Sequence, residues 1–358
     1  MVRRAEQRLL LTCVLCLACN DATGPAQNGN YPTTPAGAIF VTADIDRFWE
    51  AYDAGGSAGA ASAFQSRYLD AASAGLRDFI QARSLTAASL TQMVGAYPRY
   101  FAAIRANTLR LAQSKAILDR VRQNYDRVEA LYPASIFPPV TFLIGRFSTA
   151  GTVRQSGILV GTEFFAIDDR TPLDELGTFQ RVNVRALDSL PVIIAHEHTH
   201  VLQGQAGAVG SSASATLLEQ SLHEGIADFI GELVSGSHIN THIYAYGLLH
   251  EGELWTQFTA MMNGTDVSQW LYNQGSATGE RPGDLGYFIG YRIAEAYYGK
   301  AADKVVALRE IIEMKNAAAF LAASGYTGAG LRATSILERL AEPVRQRRGA
   351  QTPDATRL

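Results

Sequence analysis

The chain has few cysteines and almost no net charge. Its three cysteines, Cys13, Cys16 and Cys19, all fall before residue 20 of the 358. The rest of the chain cannot form an internal disulfide, so its core alone must stabilise the fold. The formal net charge is -3, from 31 basic and 34 acidic side chains. Because a basic stripe is missing, we do not expect nucleic acid as a partner.

The chain also lacks internal repeats of solenoid length and any apolar run long enough to span a bilayer. What it does contain is apolar material, since 47% of its residues are hydrophobic and only 18% are charged. This composition predicts a sizeable buried core, in one large domain or two ordinary ones.

Residues 1–18 are typical of a signal peptide, with three arginines before about ten apolar residues. The stretch Leu17-Ala18-Cys19 resembles a bacterial lipobox, which implies lipid attachment at Cys19 and a membrane-anchored place in the bacterial cell envelope. Cys16 stands where that motif prefers leucine, so ordinary cleavage and a secreted or periplasmic protein remain the alternative. The cysteine run could suggest metal binding, but in an apolar segment cysteine acts as a small hydrophobe.

Behind Cys19 the composition predicts a flexible tether over residues 19–36, rich in glycine, proline, asparagine and threonine. Apolar residues at three- and four-residue spacing then predict an N-terminal helical region over residues 37–135. The last segment, residues 343–358, is expected to be a polar tail.

The second domain is expected over residues 136–342. It begins with β-branched, glycine-punctuated stretches at 140–145 and 156–167, which predict a small sheet. Helical patterns return from about Asp188 onward. The fold class predicted is therefore α+β and predominantly helical.

The stretch AHEHTH carries the pattern HExxH at His196, Glu197 and His200. On a helix His200 lies about 40° from His196 and one turn above it, so both imidazoles can reach one ion. Glu197 flanks that direction, where a general base for an activated water belongs. His198 lies about 200° round, and we expect it to be a hydrogen-bonded packing residue.

A catalytic zinc usually has three protein ligands and one open position. The next predicted helix offers three candidates for the third ligand, His223, Glu224 and Asp228. The residue types alone leave this choice open.

At these residues the sequence resembles the gluzincins, zinc peptidases that include thermolysin and the one-zinc aminopeptidases. The resemblance implies a zincin-like core in which His196, His200 and Glu224 bind Zn²⁺. It also implies that Glu197 is the catalytic base and that Asp228, four positions after Glu224, orients the first histidine.

The stretch YFIG resembles the aminopeptidases' YxxG segment, which implies that Tyr287 stabilises the oxyanion. Tyr291 and His250 are the reserve candidates, and the tyrosines could instead form a core stripe. Together with HExxH and HEGxAD, this segment also resembles an uncharacterised bacterial group of predicted Zn-dependent proteases, many of them lipoproteins. The resemblance covers roughly residues 156–300.

Extended peptides often pair with a strand edge near the catalytic group. The candidate edge lies before the histidine helix, at Gly157, Ile158, Leu159 and Val160, where glycine permits close backbone approach. The alternative is that this stretch is a central strand.

The resemblance implies a zinc-dependent peptidase that hydrolyses peptide or protein substrates. It favours an endopeptidase, because the glycine-rich stretch with which the aminopeptidases capture a free amine has no clear counterpart here. A non-catalytic zinc-containing envelope lipoprotein is the main alternative, and a metal-carrying chaperone is the second. Glu197 argues against the first alternative, because a structural site needs no base.

Overall fold

The computed structural model describes residues 31–274 and 281–328. The expected signal peptide, Cys19 with its lipid, most of the tether and the polar tail lie outside these residues. Within the described ranges, no helix combines the length and the apolar character needed to cross a membrane. The predominantly helical α+β fold predicted from the sequence is confirmed.

Helices form the front of the chain, and local capping explains several of their ends. Ser73 accepts a hydrogen bond from the backbone of Leu76, and Thr86 forms a capping box with Ser89. The helices are α1 Ala43–Ala63, α2 Ala74–Arg83, α3 Ala87–Ala96, α4 Pro98–Gln113 and α5 Lys115–Leu131.

The described residues form one four-stranded sheet, with β1 before the front helices and the other strands after them, in the order β1-β2-β4-β3. The first three strands in that order run parallel, and β3 pairs antiparallel with β4. The strands are β1 Phe40–Val41, β2 Val140–Leu143, β3 Gly151–Arg154 and β4 Gly157–Gly161. Among the described strands β3 therefore pairs with β4 alone, which makes β3 an edge.

The rear of the chain is again helical. A capping box of Thr216 and Glu219 starts α8, and Gly236 ends it in the left-handed conformation. The helices are α6 Thr178–Asn183, α7 Leu190–Ala206, α8 Leu217–Ser235, α9 Thr241–Leu249, α10 Glu251–Thr259, α11 Leu285–Lys300, α12 Lys304–Ile312 and α13 Ala317–Ser324.

Helix α7 lies between two hydrophobic clusters. The first joins α1–α5 and the sheet, and it includes Ile194 and Val201 of α7. The second joins α8–α13 and includes Ala195 and Leu202 of the same helix. Because residues 190–203 of α7 are all buried, the polar side chains of this part of the helix lie inside the protein, where each needs a partner. The expected division of the chain at residues 135 and 136 stays a prediction.

Helices α8 and α11 cross in close contact at two glycines. A Cβ on Gly225 would lie 2.5 Å from the Cα of Gly290, and a Cβ on Gly290 would lie 1.8 Å from the carbonyl oxygen of Ser221. Side chains are sterically excluded at both positions. Close packing at this crossing explains why glycine occupies these two motif positions. The crossing also fixes the start of α11 against the helix that carries Glu224.

Candidate metal centre

The side chains of His196 and His200 on α7 meet that of Glu224 on α8. The two histidine Nε2 atoms are 3.1 Å apart. The Oε2 atom of Glu224 lies 3.3 Å from Nε2 of His200 and 3.6 Å from Nε2 of His196. These three atoms form a nearly equilateral triangle.

The triangle has the size that a metal ion requires. A tetrahedral zinc ion with bonds of about 2.0–2.2 Å separates its ligand atoms by about 3.3–3.6 Å. Glu224 is fully buried, and its Oε2 has no hydrogen-bond partner among the described residues. Because a buried carboxylate oxygen without a donor is costly, a cation is the group that fits here. His196, His200 and Glu224 could therefore hold a metal ion.

Two hydrogen bonds fix the tautomers of the histidines. Nδ1 of His196 lies 2.8 Å from Oδ1 of Asp228, and Nδ1 of His200 lies 2.8 Å from Oε1 of Gln203. Carboxylate and amide oxygens only accept, so each Nδ1 carries the proton and donates it. Each Nε2 then presents a lone pair to the triangle, as a metal ligand must.

Two more polar side chains hold the acidic residues in place. Asn240 donates from Nδ2 to Oδ2 of Asp228 at 2.7 Å, and the hydroxyl of Tyr272 donates to Oε1 of Glu224 at 3.0 Å. The second bond leaves the other oxygen of Glu224 for the triangle. Tyr272 itself has a φ of 56°, a left-handed conformation that is uncommon for a bulky residue.

Burial and the two histidines have opposite effects on Glu224. Burial opposes its ionisation, but the rings of His200 and His196 outweigh that effect and hold the pKa of this carboxyl well below its usual range. This lowering requires positive charge on the two histidines; once both are neutral, a cation in the triangle would favour the ionised carboxylate in their place.

Glu197 lies beside the triangle and is only 2% exposed. Its carboxylate faces the start of β3, where a Cβ on Gly151 would lie 2.5 Å from its Oε1 atom. The other oxygen, Oε2, is buried and has no hydrogen-bond partner among the described residues. Burial raises the pKa of Glu197, although His196 and His200 act in the opposite direction. A raised pKa suits a group that takes up and releases a proton.

A cation from the front helices lies near the same carboxylate. Arg83, in the last turn of α2, donates from Nη2 to the Thr152 hydroxyl on β3 at 3.2 Å. Its charge contributes to lowering the pKa of Glu197 against the effect of burial. The front helices therefore take part in the electrostatics of the centre.

The other two candidates for the third ligand have other partners. Asp228 is bonded to His196, and the ring of His223 stacks on that of His200 with centroids 4.4 Å apart. Burial lowers the pKa of His223 to about 3, so this ring is neutral at pH 7. The geometry favours Glu224 as the third ligand.

His198 lies away from the triangle, as the helical wheel predicts. Its Nε2 donates to the carbonyl oxygen of Ile136 at 2.7 Å, and its ring packs against Tyr125 and Phe137. Burial lowers the pKa of His198 to about 4. This histidine is a neutral packing residue.

Of the three candidates for an oxyanion donor, Tyr287 lies beside His196. Its ring stacks on that of His196, with centroids 6.4 Å apart and planes inclined by 19°. The hydroxyl of Tyr291 instead donates to Oε2 of Glu232 at 2.7 Å. His250 packs on the ring of Tyr246 at 4.2 Å. Tyr287 is the candidate that the fold brings to the centre.

The expectation of a free strand edge at Gly157, Ile158, Leu159 and Val160 is wrong. These residues belong to β4, which pairs with β2 on one side and β3 on the other. The reason is that β3 folds back along the outer side of β4 and takes the edge. The alternative of a central strand is correct, and the edge near Glu197 belongs to β3.

Sequence reasoning missed four polar residues around the centre. A signal for Gln203 exists, because it lies three positions after His200 on the same helix. The others come from distant parts of the chain, and no local pattern connects them to the motif. The four are Arg83, Gln203, Asn240 and Tyr272.

Comparison with known proteins agrees with this geometry. A family model described as "Predicted Zn-dependent protease (DUF2268)" matches residues 174–317. The chain is similar to that family over this segment. The match includes α7, α8 and α11, and therefore every residue of the triangle. No curated protein and no solved structure matches the chain.

Proposed function

We propose that this protein is a zinc-dependent peptidase of the gluzincin type, in which His196, His200 and Glu224 bind Zn²⁺. The observation that carries the proposal is the triangle of two Nε2 atoms and one Oε2 atom beside the buried carboxylate of Glu197. The similarity to a family of predicted Zn-dependent proteases supports it.

When bound, the zinc ion lowers the pKa of a water molecule and polarises the scissile carbonyl. Glu197 takes the proton of the attacking water and passes it to the leaving amine. Its position against Gly151 fixes the carboxylate between the triangle and the edge strand. Tyr287 donates a hydrogen bond to the developing oxyanion.

We place the peptide substrate along β3, as a peptide or protein segment in extended conformation. Gly161 donates its N–H to the carbonyl of Ala150, so this opposed pair is a hydrogen-bonded one. Pairs alternate in an antiparallel ladder, so Gly151 and Val153 direct their N–H and C=O groups away from β4. Both of these carbonyl oxygens already accept a hydrogen bond from a side chain, so a substrate strand would pair with the N–H groups. Strand addition at this edge brings a backbone next to Glu197. An edge of this kind needs no free substrate terminus, which favours an endopeptidase.

The proposed location is the bacterial cell envelope, with a lipid anchor at Cys19. This part of the proposal rests on the resemblance of residues 17–19 to a lipobox. A non-catalytic zinc lipoprotein would have the same location, but it gives no reason for a buried carboxylate at Glu197 without a donor on Oε2.

The proposal is tested by zinc analysis together with a hydrolysis assay on a mixed peptide library. We expect about one zinc per chain and cleavage that a chelator abolishes and added zinc restores. The matched control is Glu197→Gln, which should keep its zinc and lose about 100–10,000-fold in turnover, because the proton carrier is removed. Stoichiometric zinc without cleavage of any library peptide would favour the non-catalytic alternative.

A further inference from the structure

Gln203 uses both ends of its side-chain amide inside the protein. It lies on α7 and is only 1% exposed. Its Oε1 atom accepts from Nδ1 of His200 at 2.8 Å, and its Nε2 atom donates to the carbonyl oxygen of His223 at 3.0 Å. One amide thus bridges a ligand side chain on one helix and the backbone of the other.

The second bond determines the orientation of the amide. A backbone carbonyl only accepts, so the NH₂ group of Gln203 must face His223. Oε1 must then face His200, which can only donate to it. The backbone of α8 therefore sets the tautomer of a histidine on α7, and this tautomer has its lone pair on Nε2.

The bridged carbonyl belongs to the residue before Glu224. The same amide thus connects the ring of His200 to the helical turn that carries the third ligand. The first histidine is held differently, since its Nδ1 donates to the carboxylate of Asp228. Asp228 itself is on α8, so each ligand histidine on α7 is oriented by a bond that leads to α8.

We propose that Gln203 is a positioning residue of the metal centre, which holds the His200 ring in its metal-binding tautomer and couples that ring to the turn carrying Glu224. This inference rests on the proposed zinc site. The neutral amide of Gln203 orients its histidine without adding charge. Asp228 orients its histidine and also adds a negative charge. Loss of Gln203 would remove one hydrogen bond from the Nδ1–H of His200 and one from the carbonyl of His223.

The test measures zinc affinity of the full chain by competition with a chromogenic chelator. Gln203→Leu should bind zinc about 10–100-fold more weakly than wild type, the usual effect of removing a partner of a metal-bound histidine. The matched control is Gln220→Leu. Gln220 is equally buried at 1% and donates to the carbonyl of Ala215 at 2.9 Å, but it has no part in the triangle. The control should change zinc affinity by less than about threefold.

A second readout follows the tautomer itself in the metal-free protein. With ¹⁵N-labelled histidine, the nitrogen shifts of His200 should report a proton on Nδ1 in wild type and a mixture of tautomers in Gln203→Leu. Gln203→Glu keeps an acceptor for Nδ1 and should keep the wild-type tautomer. This near-isosteric variant also serves if the leucine variant does not fold.

Either of two results overturns the inference. One is a zinc affinity of Gln203→Leu that equals wild type or the Gln220→Leu control. The other is a Gln203→Glu protein whose His200 carries its proton on Nε2. Both readouts are independent of peptide cleavage. A wild-type protein that binds zinc and cleaves nothing would contradict the proposed peptidase and leave the role of Gln203 intact.

Discussion

The most deeply buried glutamates of the described residues lie in two regions, and their carboxylates have different surroundings. Near the sheet, Glu163 accepts from the backbone N–H groups of Gly145 and Phe147, each at 3.0 Å. Between α7 and α8, Glu197 and Glu224 each have an Oε2 atom without a hydrogen-bond partner among the described residues. All three glutamates are at most 2% exposed.

Burial of a carboxylate therefore does not by itself mark a functional group. Glu163 is surrounded by donors that belong to the fold, so its role is complete within the protein. A buried oxygen without a donor destabilises the folded state. At the contact between α7 and α8, two such oxygens lie beside two histidines whose Nε2 lone pairs point to the same place. Such local conflict is typical of functional sites.

The largest effect is expected at the triangle itself. Glu224→Ala should weaken zinc binding by more than about 100-fold, beyond the range for partners of a ligand, because it removes a ligand. The same change removes a carboxylate that the folded protein favours in its ionised form and the acceptor of the Tyr272 hydroxyl, so the metal-free variant should unfold more easily than metal-free wild type, by about 1–3 kcal/mol. Zinc analysis and urea unfolding in chelator measure the two effects.

Asp228→Asn is the control for this prediction, because its amide oxygen can still accept from Nδ1 of His196. It should reduce zinc affinity by about 10–100-fold at most. Stoichiometric zinc in Glu224→Ala would contradict the assignment and direct attention to His223 or Asp228 as the third ligand.

A smaller effect on catalysis is expected at Tyr287. Tyr287→Phe should keep zinc and lose about 100–1,000-fold in kcat, since one oxyanion donor is removed. Tyr291→Phe sharpens the comparison on the same helix, because it removes the hydrogen bond from the Tyr291 hydroxyl to Oε2 of Glu232. It should lower the free energy of unfolding by about 1–3 kcal/mol. Steady-state kinetics and thermal unfolding of both variants separate these roles. Equal losses of kcat in Tyr287→Phe and Tyr291→Phe would contradict the assignment of Tyr287 as the oxyanion donor.

Helical spacing, a local property, predicted that His196 and His200 share one face of a helix, whereas the choice of Glu224 came from the resemblance to the gluzincins. The positions of His196, Glu197 and His200 on one helix follow from 3.6 residues per turn. The same geometry correctly directed His198 away from the ion. The helical regions likewise follow from apolar periodicity, and the small sheet follows from its β-branched, glycine-punctuated stretches.

What the sequence could not predict depends on long-range pairing. The apolar run of β4 does not by itself distinguish a central strand from an edge, and only the return of β3 along it decides. The bonds of Tyr272 to Glu224 and of Asn240 to Asp228 require a tertiary fold that brings distant loops to α8. Gln203 could have been found, since its spacing from His200 is local.

The smallest effect is expected at Glu163, and it concerns stability alone. Burial raises the pKa of Glu163 from 4.5 to about 7, even though backbone N–H groups oppose the shift. The folded state therefore binds this proton more tightly than the unfolded state. The stabilisation that Glu163 contributes is complete below pH 4.5 and is lost as the pH rises to about 7.

Glu163→Gln removes this titration while keeping a neutral side chain of the same shape. Between pH 4.5 and pH 7, wild type should lose about 3 kcal/mol of unfolding free energy relative to the variant, at 1.36 kcal/mol per pKa unit. Urea unfolding in chelator at several pH values measures it. A difference that stays constant with pH would mean that the backbone donors of Gly145 and Phe147 keep Glu163 ionised in the folded protein. Glu163 would then differ from Glu197 in its charge as well as in its hydrogen bonds, although burial raises the pKa of Glu197 too.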